Sequence, residues 1–216
     1  MRCINANDAF HHYLEQILGF GEDFANTKAL FNIGFYINNP MDNYIKDTHI
    51  VKRNWKQEYA EAEWQWYLSG DRNTKRLGEL YGKIPEIWRH MADDNGDVNS
   101  NYGWQWERED QLNKICNLLI REPNTRQAAI SIYDAKEINT YEFDTPCTYA
   151  VQFTILNSKL NMSVVMRSND LWYGFCNDQY QFSKLQHYIW NRLDRDVEIG
   201  TYFHFAHNLH LYNDKI

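Results

Sequence analysis

A cysteine becomes a nucleophile only where its neighbours lower its pKa or take its proton, so context matters more than number. Of the four cysteines, Cys3, Cys116, Cys147 and Cys176, none forms a C-x-x-C pair. That usage fits free thiols in a reducing cytoplasm rather than a disulfide framework. Cys3, Cys116 and Cys176 read as buried small apolar residues. Cys147 follows Asp144-Thr145-Pro146, in a loop entering a strand, where a side chain can project into a cleft. Twenty residues later comes Met166-Arg167-Ser168-Asn169-Asp170. Antiparallel pairing of the segments between them would return this group to the cysteine. An adjacent arginine lowers a thiol's pKa from about 8.5 and favours the thiolate. Spacing alone leaves an inert buried thiol equally open.

Arg167 with Ser168 could hold a phosphate through a charge-assisted fork and a hydroxyl, or be an ordinary surface arginine. His204, His207 and His210 invite a metal reading. In a strand, however, His207 points away from the other two, so three ligands do not converge and no metal is expected. The run Lys52-Arg53-Asn54-Trp55-Lys56 reads most simply as a solvated segment.

The elements that must position these residues follow from periodicity. Asp8 can cap a first helix with a stripe of Phe10, Leu14, Ile17 and Leu18, ended by Gly19 and Gly21. Residues 29–37 read as a buried strand running into a turn at Asn38-Asn39-Pro40. Helices are predicted over about 56–68 and 107–121, the second burying Leu112, Ile115 and Leu119. Strands follow at 128–133, 148–156 and 160–167, the last two forming a hairpin around Asn157-Ser158-Lys159. A helix starts near Asp178 and buries Phe182, Leu185, Ile189 and Leu193. In the last strand, 201–212, Phe203, Phe205, Leu209 and Leu211 face the core. Tyr202, His204, Asn208, His210 and Tyr212 face a polar cleft. The class is α+β.

The 216 residues suit one domain, 1–216, with a sizeable aromatic core: 44% are hydrophobic and 16% aromatic. A net charge of -7 argues against sequence-independent nucleic-acid binding but leaves room for an anionic small molecule held by a few arginines. No apolar run approaches the roughly 20 residues that span a bilayer, and no signal peptide is evident, so a cytoplasmic location is expected.

Asn99-Ser100-Asn101-Tyr102-Gly103-Trp104, Pro146-Cys147-Thr148, Met166-Arg167-Ser168-Asn169-Asp170 and Leu209-His210-Leu211-Tyr212 occur in the order and spacing of a known family. From about Glu63 to Tyr212 the chain resembles the thymidylate synthases. It is more similar still to their deoxycytidylate hydroxymethylase branch, known from bacteriophages that modify their DNA; a viral member would work in the host cytoplasm. The resemblance implies a mixed sheet covered by helices, with one sheet face used for dimerisation. It also implies 5,10-methylenetetrahydrofolate as cofactor and a pyrimidine nucleotide as substrate. Cys147 would add to C6, making C5 a carbon nucleophile towards the one-carbon unit. Arg167 would bind phosphate and sustain the thiolate, with Ser168 and a partner subunit's Arg126 completing the phosphate site. His210 and Tyr212 would hold the sugar 3′-hydroxyl. Glu63 and Tyr102 would manage protons and ordered water, and Trp88 and Asp170 would contact folate.

Asp178 stands where synthases carry an asparagine that reads uracil. A carboxyl sharing one proton can accept from cytosine N4–H and hydrogen-bond N3, which favours deoxycytidylate (dCMP). A one-residue slip would make Asn177 the reader instead. Thr148 stands where synthases usually have histidine, as in the hydroxymethylase branch. The sequence ends at Ile216, short of the synthases' C-terminal folate lid; the implied expectation is that water, rather than hydride, completes the reaction. Gln127 replaces a second arginine, with Lys28 a weak substitute. Hydroxymethylation of dCMP is the leading expectation. Methyl transfer to dCMP or dUMP, CMP as substrate, and a nucleotide-binding homologue without catalysis are the alternatives.

Overall fold

A computed structural model describes residues 1–138, 141, 144–193 and 196–215. Ile216, named above as the last residue, lies outside them. The strands are β1 (Arg2–Cys3), β2 (Glu22–Phe24), β3 (Thr27–Ile37), β4 (Ala129–Ser131), β5 (Thr148–Leu156), β6 (Lys159–Met166), β7 (Asn169–Asp170) and β8 (Glu198–Tyr212). They form one mixed sheet in the order β1-β3-β8-β6-β5-β4, with β2 pairing β3 and β7 pairing β8. The helices are α1 (Ala6–Phe20), α2 (Gln57–Leu68), α3 (Thr74–Tyr81), α4 (Glu86–Met91), α5 (Tyr102–Glu107), α6 (Gln111–Arg121) and α7 (Cys176–Asn191). The class is α+β, as expected.

One sheet face carries the core. Phe35 stacks on Tyr13 of α1, and Tyr202 meets Phe182 of α7. Val151, Val164 and His204 are also fully buried. The other face presents Tyr36, Phe203, Phe205 and Val165 at least partly to solvent. A Cβ on Gly34 would come within 2.8 Å of the Phe203 ring, so only glycine lets that ring lie flat on β3.

This reverses the expected faces of β8. Tyr202, His204 and Ala206 lie on the core side, fully buried, while Phe203 and Phe205 are only partly buried. The polar side chains are tolerated there because the Tyr202 hydroxyl and His204 Nδ1 bond each other at 2.8 Å. Only beyond Ala206 does the assignment hold for Leu209 and Leu211, which are buried.

Other boundaries shift for local reasons. Asn5, not Asp8, caps α1: its side chain accepts from Asp8 N, while Asp8 accepts from Ile4 N. Leu18 is 44% exposed and leaves the stripe. The expected helix over 107–121 is two, because Glu109 and Asp110 adopt φ of 53° and 59° and break the ladder between α5 and α6. Helices α3 and α4 went unread. The β5–β6 hairpin turns at Asn157-Ser158, both left-handed, as a two-residue turn requires.

Candidate active site

A cleft of about 950 Å³ opens between α2, α4, the β6–α7 connection and the end of β8. Cys147, Arg167, Ser168, Glu63, Tyr102, Asp178, Asn177, His210, Tyr212, Trp88 and Asp170 all line it. Eleven of the twelve residues singled out from the sequence thus converge. Arg126 does not: it is exposed and lines no part of this cleft.

The hairpin delivers the first pair. Thr148 pairs with Met166, and Arg167 N donates to Cys147 O at 2.7 Å. The Arg167 guanidinium then reaches the Thr145 and Pro146 carbonyls at 2.7 and 3.1 Å, with Nη2 3.6 Å from Cys147 Sγ. Arginine therefore both shapes the loop and faces the thiol. Arg167 pulls the thiol's pKa down, as expected, but does not set the net direction. Burial raises it to about 11, and Asp178, Asp144 and Asp170 add to the rise, outweighing Arg167's pull downward. The resting thiol keeps its proton.

Two carboxyls line the same cleft from helices. Glu63, on α2, is 3% exposed and pushed up to about 7, chiefly by burial. Tyr59 Oη donates to one of its oxygens at 2.7 Å and Gln181 Nε2 to the other at 2.9 Å. Asp178, in the first turn of α7, is pushed up to about 8, first by burial and then by the charge of Glu63. Asn169 Nδ2 donates to its Oδ2 at 2.7 Å. A Cβ at Gly174 would stand 3.0 Å from that Nδ2 and 3.4 Å from Oδ2, so the glycine leaves room for the pair. Near neutrality Asp178 is a hydrogen-bond donor as well as an acceptor. Asn177, the alternative reader, is committed elsewhere: its Oδ1 accepts from Trp55 at 2.9 Å and its Nδ2 donates to Tyr173 O at 3.2 Å.

The motif 99–104 is a support. Asn101, fully buried, caps α5 by accepting from Trp104 N and donates to Asp71 O. A Cβ on Gly103 would sit 1.9 Å from Tyr67 O, so α5 can lie against α2 only with glycine there. This contact fixes Tyr102, whose hydroxyl burial holds well above 10. Beneath it, Asp144 is 2% exposed and accepts from Ser100 N at 2.6 Å and from the Ser100 hydroxyl.

At the other end, Asp170 caps the turn Leu171–Phe175, accepting from Trp172 N and Tyr173 N at 3.0 and 2.8 Å. Its pKa is raised by burial, and the neighbouring His210 is lowered by burial, with Asp170 opposing. Tyr81, Pro85, Ile87, Trp88 and Met91 wall the outer cleft, an apolar surface suited to a flat heteroaromatic ring. The basic run is not simply solvated: Arg53, Trp55 and Lys56 also line the cleft, and Arg53 bonds the Trp172 carbonyl. Tyr59 and Gln181, unnoticed in the sequence, are the residues that hold Glu63.

An open mixed sheet whose cleft sets one thiol against an arginine and two raised carboxyls defines a class of cysteine-centred α+β proteins. The thymidylate synthase family profile matches residues 9–216, and the chain belongs to that family. Deoxycytidylate 5-hydroxymethyltransferase of Enterobacteria phage T4 is 32% identical over 166 residues, covering 73% of this chain. Thymidylate synthase of Vesicomyosocius okutanii is 28% identical over 157 residues, covering 69% of this chain. The matched region spans 64% and 57% of those relatives' lengths. The solved structure of thermostable thymidylate synthase A from Bacillus subtilis superposes with a TM-score of 0.78 at 20% identity. It covers 96% of this chain and 80% of its own, a likeness of fold.

Proposed function

We propose that the protein transfers a one-carbon unit from 5,10-methylenetetrahydrofolate to C5 of dCMP, with water adding to that unit to give 5-hydroxymethyl-dCMP and tetrahydrofolate, and works as a homodimer. The observation that carries the choice of base is Asp178, a carboxyl holding a proton near neutrality, pinned by Asn169 inside the same cleft as Cys147. Such a group donates to N3 and accepts from N4–H of cytosine, a pattern that an asparagine set for uracil does not match. The phage relative's activity on deoxycytidylate points the same way.

Cys147 passes its proton to a base of the cleft, the role given to Glu63, and adds through sulfur to C6; the C5–C6 π electrons move to C5, which becomes nucleophilic. The bound folate supplies the one-carbon unit at its oxidation level. Among the described residues, Arg167 Nη1 has no hydrogen-bond partner, so it is the donor left for a phosphate, beside Ser168. His210 and Tyr212 stand at the far rim for the sugar, and the Glu63–Tyr102 pair flanks the base for proton transfer. Trp88 and the wall around it receive the folate ring, with Asp170 near. Arg126 reaches the phosphate from the partner.

The test is incubation with dCMP, dUMP or CMP plus methylenetetrahydrofolate, with product mass read directly. dCMP gaining formaldehyde is the expected result, and Cys147→Ser should lose turnover while keeping nucleotide affinity. A methyl product with dihydrofolate release would replace the hydroxymethyl reading, and turnover of dUMP alone would remove the role given to Asp178.

A further inference from the structure

Glu63 is held by a hydrogen-bonded chain whose direction the chemistry of its members dictates. Trp88 Nε1 lies 2.7 Å from Tyr59 Oη, and Tyr59 Oη lies 2.7 Å from Glu63 Oε1. An indole N–H can only donate, so the Tyr59 oxygen accepts from Trp88 and its own proton must point at Glu63. On the other side, Gln181 Nε2 lies 2.9 Å from both Ala60 O and Glu63 Oε2. A backbone carbonyl can only accept, which settles the amide's orientation and aims a second donor at the carboxyl. Both oxygens of Glu63 therefore face donors within a cleft that otherwise disfavours charge.

We propose that Tyr59 is a positioning residue for Glu63: with Trp88 behind it, its hydroxyl fixes the carboxyl's rotamer and holds a donor on Oε1. This rests on the reading of Glu63 as the proton-handling residue of the cleft. The titratable groups facing Glu63 are Tyr59 and Tyr67 on its own helix and Asp178 from α7. Burial pushes both tyrosines far above neutrality, so they act as neutral donors. Only Asp178 competes for charge in this range. Without the Tyr59 hydroxyl, burial acts on Glu63 against the donors that remain, Gln181 and the Trp88 indole. Its upward shift from about 7 should then grow.

Tyr59→Phe keeps the ring and its edge contact with Tyr81 but removes the hydroxyl. The readout is the Glu63 carboxyl titration by difference infrared spectroscopy in the whole protein, with Glu63→Gln identifying the band. Tyr59→Phe should move that titration up by about one pH unit, the equivalent of one hydrogen bond to a charged group. Trp88→Phe, which frees the Tyr59 hydroxyl to rotate, should move it in the same direction by less. The pH profile of turnover should shift on the limb that Glu63 governs. A Glu63 titration unmoved in both variants overturns the proposal, whatever happens to the melting temperature. Should the titration move while no nucleotide turns over in the wild type, the positioning role stands and the proposed activity fails.

Discussion

Asp178 carries two consequences that can be measured apart. Its folded pKa of about 8 lies above its ordinary 3.8, so the folded state binds its proton more tightly than the unfolded chain does. Stability from this group is full below about pH 3.8 and is lost as pH rises through 8. Glu63, raised to about 7, acts in the same sense. His204, lowered to about 3 by burial, and His210, also lowered, act oppositely, but only below their unfolded value of 6.5. Between about pH 6.5 and 8 the carboxyls decide the sign, and unfolding free energy should fall. Asp178→Asn should flatten that decline in urea unfolding across the window; parallel curves for variant and wild type would refute the raised pKa. The same variant should exchange preference for dCMP against dUMP by at least about tenfold in kcat/KM, the scale of one mismatched buried hydrogen bond.

The elements explain which parts of this site could be read without coordinates. Cys147 and Arg167 were legible because a two-residue hairpin carries a fixed register, and Thr148 opposite Met166 follows from it. The apolar stripes of α6 and α7 were legible for the same reason, a period with one partner. The faces of β8 were not, since a period of two names two faces but does not say which is dry; Tyr202 and His204 satisfy each other and so can occupy the core. Helix α2 hid Tyr59 because its aromatic residues point several ways, three of them fully or nearly buried. The break between α5 and α6 has no glycine to announce it. Gly103 shows how a motif can be structural rather than chemical. Gly103→Ala would force a methyl into the Tyr67 carbonyl, part α5 from α2 and displace Tyr102. A loss of about 3 kcal/mol in chemical denaturation is expected. A variant within about 0.5 kcal/mol of wild type would show that the two helices can yield.

At the scale of the molecule, the sheet presents an aromatic face partly to solvent, and Arg126 stands outside the cleft. Tyr36 packs on Phe203, and Phe205 and Tyr149 each meet the ring of His207, which makes an aromatic surface on the side away from α1 and α7. Tyr36 and Tyr149 are each 36% exposed. Such a surface would suit the proposed homodimer, since an isologous twofold contact would bury it against itself. Arg126 is exposed just before the edge strand β4 and reaches no part of its own cleft. Both facts are met if a second copy covers the face and lends Arg126 to its neighbour's phosphate site. Arg126→Ala and Cys147→Ser should each be nearly inactive alone. Unfolded and refolded together, they should regain about a quarter of wild-type activity, since half the dimers are mixed and one of their two sites is then intact. Phe205→Glu should abolish that rescue and give a monomer in sedimentation, because it places a charge in the middle of the contact. If Arg126→Ala alone keeps full activity, or the mixture stays inactive while wild type sediments as a monomer, Arg126 serves no shared site.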